Sequence, residues 1–137
     1  MPNSLELGLY IYCMKILFII TRSYLQSLLH QKVASSLASL NQNPKVDKCS
    51  VFFTSKAALI AATGQSAKDK VSDLNLLQFK KVQAAYQSLD SKIELLVCGR
   101  AFKDFNLDDS NLDSSFVMSG NMELSMLIAG YDKVVEF

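Results

Sequence analysis

Ile93-Glu94-Leu95-Leu96-Val97 is an apolar run of strand length that stops abruptly at Cys98-Gly99-Arg100. A run this short and this uniformly apolar suits a strand covered on both faces, which is the habit of parallel sheets sandwiched between helices. Where such a strand turns outward, open α/β sheets keep their sites, and here a thiol stands at that place. The first question for the rest of the chain is whether it supplies more strands of this kind with helices between them.

It does. Met14-Lys15-Ile16-Leu17-Phe18-Ile19-Ile20 reads as a buried first strand and residues 46–54 as a second. Ser23 and Gln26 have the spacing of a capping box, so a helix is expected to start there, with Leu25, Leu28, Leu29, Val33, Leu37 and Leu40 at helical spacing and Asn41-Gln42-Asn43-Pro44 as its stop. Residues 57–63 read as a short helix closed by Gly64, and residues 65–73 as the loosest loop. A helix over 75–89 follows, with Phe79, Val82, Tyr86 and Leu89 on one face and Lys80, Lys81 and Gln83 elsewhere.

The third strand spans 92–97, with a short helix beginning just after Cys98. Residues 115–118 form a fourth strand, Asn121 an N-cap, 122–129 a helix with Gly130 at C′, and 133–137 a last strand. Strands alternating with helices predict one α/β domain of three layers, flavodoxin-like, with a mostly parallel sheet of about five strands and helices on both faces.

Composition narrows the function classes. With 14 basic and 13 acidic residues the net charge is +1, which leaves no electrostatic footprint for direct nucleic-acid binding. The 137 residues, half of them apolar, are enough for a core without metals or disulfides. Three widely spaced cysteines and no CxxC argue against a disulfide framework or a zinc site and fit a reducing cytoplasm. The apolar stretch 9–20 is interrupted by Lys15 and too short to span a bilayer, so neither a signal peptide nor a membrane helix is expected. Met14 suits the start of the domain, 14–137, with residues 1–13 as an upstream extension.

Cys98 is the candidate nucleophile. A thiol reacts as its thiolate, which a helix start and nearby cations favour, and Arg100 and Lys103 lie within a turn of it. Gly99 leaves room for a partner's group to approach the sulfur. The same pattern also fits a cysteine that only packs at a strand end. Cys13 and Cys49 read as packing residues, and the single histidine, His30, as a surface or half-buried helix residue with no triad partner. Asp108, Asp109 and Asp113 lack the glycine and glutamate of a calcium loop and read as a solvated turn. No GxGxxG or GxxxxGK[ST] occurs, so no dinucleotide or P-loop chemistry is expected.

Four stretches, taken in order and spacing, resemble one family: Met14 to Ile20; Ser50-Val51-Phe52-Phe53; Ile93 to Ala101 with its strand-end cysteine; and Phe116-Val117-Met118-Ser119-Gly120 through Tyr131-Asp132-Lys133-Val134-Val135-Glu136-Phe137. Residues 14–137 are similar to the DsrE/DsrF/DsrH-like sulfurtransferase subunits, the group that holds the TusD and DsrE types. The resemblance implies that Cys98 carries sulfur as a persulfide between protein cysteines, with no metal or organic cofactor. Gly99 and Arg100 are possible supports of the anionic sulfur. It also implies sister subunits of the DsrF/TusC-like and DsrH/TusB-like kinds, assembled as a heterohexamer, with an upstream persulfide donor and a downstream acceptor, most naturally toward 2-thiouridine in tRNA. Dissimilatory sulfur oxidation, a non-catalytic structural subunit, and a small-ligand-binding module are the other readings. The chain departs from the group's pattern just after the cysteine, at Gly99-Arg100-Ala101-Phe102, and at Asn121-Met122 where a second glycine is usual.

Overall fold

The computed structural model describes residues 14–137; the extension expected over 1–13, with Cys13, lies outside the described residues. The first three expected strands form β1 (Met14–Ile20), β2 (Val46–Phe53) and β3 (Glu94–Cys98), the centre of a five-stranded sheet. Short edge strands β4 (Val117–Ser119) and β5 (Lys133–Glu136) complete the order β4-β3-β2-β1-β5, and every pairing is parallel. The central strands carry the core because their last residues are apolar on both faces: Ile16 to Ile20, Val51 to Phe53 and Leu95 to Val97 are all buried.

The connections between strands are α1 (Ser27–Gln42), a 3-10 segment (Ser55–Ala61), α2 (Gly64–Ala67), α3 (Asp73–Gln87), α4 (Gly99–Lys103) and α5 (Asn121–Gly130). From β1 to β4 the chain steps across the sheet in one direction, so right-handed crossovers put α1 to α4 on one face. From β4 to β5 it steps back past β1, and the same handedness puts α5 on the other face. Side chains agree. The Phe53 ring meets Tyr86 of α3 at 4.9 Å, while the Ser50 hydroxyl, three residues earlier and so on the opposite face, meets the Tyr131 hydroxyl just after α5 at 2.6 Å.

The helix after β1 starts at Ser27, not at Ser23, and Gln26 takes the N-cap position without a side-chain bond. The reason is tertiary. Ser23 spends its hydroxyl on the Leu25 amide (3.2 Å) and its carbonyl on the Gln26 amide (3.0 Å) and on Nε2 of His30 (2.9 Å), which holds a turn ahead of the helix. Leu25 therefore falls outside the helix, and it and Leu28 are exposed rather than packed.

His30 is fully buried, contrary to the surface position expected for it. Its Nε2 sits 2.9 Å from the carbonyls of both Arg22 and Ser23, so it bears the proton, and Nδ1 accepts from the Tyr86 hydroxyl at 2.7 Å. Gln83, expected off the apolar face of its helix, is also buried; its amide donates to the carbonyls of Ile60 (2.7 Å) and Ala62 (2.5 Å), which the 3-10 geometry leaves open.

Gly64 opens a helix instead of closing one. Thr63 caps α2 by accepting from the Ser66 amide at 3.1 Å, and Ala67 and Val71 are buried, so residues 65–73 are an anchored connection rather than a loose loop. At the other end of the chain the N-cap is Gly120 rather than Asn121. Gly130 is the last residue of α5, followed by an extended Tyr131, so there is no left-handed glycine cap. None of the described helices is long and apolar enough to cross a membrane.

Candidate functional site

Side-chain alternation along β3 fixes which way its last residue faces. Ser50 and Glu94 are paired in register and joined by a 3.1 Å hydrogen bond, so Glu94 faces the α5 side, and Leu96 and Cys98 follow it there. Leu95 and Val97 face α3. Cys98 is the last residue of β3 and the N-cap of α4, pairs in register with Ser119 of β4, and is 4% exposed.

The topology marks the same place. The chain leaves β3 toward the face of α1 and α3, where α4 packs on the 3-10 segment, whereas it leaves β4 toward the α5 face. Neighbouring strands whose connections part to opposite sides open a crevice at their carboxyl ends, and in α/β sheets such crevices hold the sites. In this sheet that place is between Cys98-Gly99 and Ser119-Gly120.

Gly99 has a role different from the one its sequence position suggests. A Cβ built there would stand 3.3 Å from Met118 Sδ and from the Ser119 carbonyl oxygen, so the space is taken by β4 of the same chain and not left to a partner. Gly120, just after β4, has open space around it. Arg100 and Lys103 are exposed, which leaves them available to an approaching molecule.

On the β4 side the Ser119 hydroxyl donates to the Glu123 carboxylate in the first turn of α5. A larger polar network lies lower on the same sheet face. Tyr131 donates to Ser50, Ser50 donates to Glu94, and Lys48 pairs with Glu94 at 2.9 Å. The hydrogen bond between them draws the Glu94 carboxyl below the usual carboxylate range and raises Lys48. Reading the sequence missed both groups. Their signals were a serine inside the buried half of a strand and a Ser and Glu four residues apart across a helix start.

The other candidates have surroundings of their own. Cys49 is 3% exposed in β2 on the opposite face of the sheet, where burial pushes its thiol up, and both described cysteines are free. Asp108 caps the short 3-10 turn Asp109–Asn111 through the Ser110 amide (2.9 Å), and Asp113 accepts from the Ser115 amide (3.1 Å), so both serve turns as expected. No cluster of three metal-ligating side chains occurs among the described residues.

The family model described as DsrE/DsrF-like matches residues 14–137. The chain belongs to the DsrE/DsrF-like family. This family is one of sulfur-relay proteins, which is the chemistry a strand-end thiol can perform. Among solved structures, the DsrE/DsrF-like fold seen here is similar to that of the YchN protein of E. coli, with a TM-score of 0.62 and 17% identity over 90% of this chain and 99% of that one. It is also similar to MTH1491 from Methanobacterium thermoautotrophicum, a protein of unknown function, with a TM-score of 0.57 and 12% identity over 91% of this chain and 99% of that one. At these identities the likeness establishes the fold. No curated protein matches the chain.

Proposed function

We propose that Cys98 carries sulfur as a persulfide between two protein cysteines, and the observation that carries this reading is a free cysteine at the carboxyl end of β3, at the switch in the sheet. The Cys98 thiolate attacks the outer sulfur of a donor's R–S–SH; the new bond is Cys98 S–S, the donor's S–S bond breaks, and the donor leaves as R–S⁻. An acceptor thiolate then repeats the exchange on Cys98–S–SH and regenerates the Cys98 thiolate. Each step trades one S–S bond for another, so no external oxidant, metal or cofactor is needed.

The downstream product most consistent with the family resemblance is 2-thiouridine in tRNA, with the tRNA held by another enzyme because this chain's charge is near neutral. Sister subunits of the DsrF/TusC-like and DsrH/TusB-like kinds, in a cytoplasmic hetero-oligomer, would cover Val117 and Val134, which stand out from the two edge strands. The burial of Cys98 favours one other reading, a structural subunit whose sister holds the sulfur. Incubation with a persulfide donor bearing labelled sulfur, followed by peptide mapping, separates the two. Label on the Cys98 peptide, lost in Cys98→Ser and kept in Cys49→Ser, supports the relay; label that persists in Cys98→Ser overturns it.

A further inference from the structure

A thiol that is 4% exposed cannot exchange sulfur with another protein unless something above it moves. The geometry points to α5 as that moving part: a lid over Cys98, latched at its far end by the Tyr131 hydroxyl. The inference rests on the sulfur-carrying role of Cys98 and adds the means by which the sulfur becomes reachable.

Three observations converge on α5. First, Cys98 faces the α5 side of the sheet, and α5 begins two residues after Ser119, its partner in the neighbouring strand. Second, α5 is weakly seated. None of its ten residues is buried, whereas α1 buries His30, Val33, Ala34 and Leu37, and α3 buries Phe79, Val82, Gln83 and Tyr86. Only Leu124 and Leu127 of α5 are half-buried, and both pack on the core. With the half-buried Tyr131 they form one stripe at positions i, i+3 and i+7, the side the helix presents to the sheet. An element held by so few buried apolar contacts opens at a lower free energy than the rest of the fold.

Third, the helix is tied at both ends by polar contacts that can be broken without unmaking the core. At the start, Ser119 bonds Glu123 beside the open Gly120. At the end, the Tyr131 hydroxyl donates to the fully buried Ser50, which in turn donates to Glu94. A groove of about 750 Å³ lined by Lys15, Gly120, Met126 and Tyr131 runs beside α5, so the helix has room to shift. Loss of the Tyr131 hydroxyl leaves Ser50 still donating to Glu94 and strands no buried donor, which makes the latch removable by a single atom.

Native-state alkylation with iodoacetamide, read for each cysteine by peptide mapping, tests the lid with Cys49 as an internal control of equal burial on the opposite face. Tyr131→Phe is expected to speed modification of Cys98 about fivefold, the scale of one hydrogen bond, and to leave Cys49 unchanged. Leu124→Ala is expected to do the same by loosening the seat above the site. Ala129→Gln, on the exposed side of α5 and away from that groove, is expected to change neither rate. The lid is refuted if Cys98 in the unmodified sequence reacts as slowly as Cys49 and neither variant changes this, or if both cysteines accelerate together, which is global loosening. The outcome is separable from sulfur loading. Lid-dependent alkylation of a Cys98 that never takes up sulfur would sink the relay and keep the lid; sulfur loading with alkylation indifferent to α5 would do the reverse.

Discussion

Cys49 and Cys98 are buried to the same degree, 3% and 4% exposed, on opposite faces of one sheet, and what lies over each is different. The Cys49 face is covered by α1 and α3, which bury four residues each and are cross-tied by His30 and Tyr86. The Cys98 face carries α5, which buries none. Equal exposure in a static structure is therefore compatible with unequal access, because access depends on the free energy of uncovering the group rather than on its area in the closed state.

Cutting one apolar side chain from each cover gives the largest expected contrast. Leu37 of α1, wholly buried, should cost about 2–5 kcal/mol as Leu37→Ala, whereas the half-buried Leu127 of α5 should cost about 1 kcal/mol as Leu127→Ala. Urea denaturation of the two variants measures both, and equal losses would erase the distinction between the faces.

Acid should loosen the α1–α3 cover selectively. Burial lowers the pKa of His30, and the two carbonyls on Nε2 only partly offset this, so the folded state takes up the proton less readily than the unfolded chain. Stability from the neutral ring is then fully present above the unfolded value of 6.5 and is lost as pH falls from there through the lower folded value. The urea midpoint should drop between pH 7.5 and 5.5 in the parent and less so in His30→Gln; parallel curves would show that another group controls the acid limb.

The smallest effect is expected at the foot of the other face. Lys48 and Glu94 have side chains 43% and 44% exposed, so a double-mutant cycle should return a coupling of about 0.2–1 kcal/mol that shrinks with salt. Glu94 is held below its ordinary pKa, so that contribution is present above the unfolded carboxylate value and fades as pH falls through the folded one. A coupling of several kcal/mol would mean that the α5 face is far better anchored than its burial indicates.

Local chemistry was read well wherever one element could decide the outcome by itself. The central strands were legible because a strand covered on both faces has to be apolar at nearly every position, and 16–20, 51–53 and 95–98 meet that demand unaided. The placement of Cys98 at a strand end followed from the same pattern. Reading failed where a distant residue claimed a local group. Ser23 looked like a helix cap until His30 took its carbonyl, and Gln83 looked like a surface amide until the 3-10 segment offered it two open carbonyls. Gly99 looked like space for a visitor, yet β4 fills that space.

The sequence by itself determined the kind of fold and the place of Cys98 at a strand end, because both follow from patterns within a few consecutive residues. Only the tertiary structure decided which face the thiol looks toward, that Ser119 stands beside it, and that Tyr131 ties down the far end of α5. Those facts depend on strand order and register between segments as much as 81 residues apart, and no local pattern carries them.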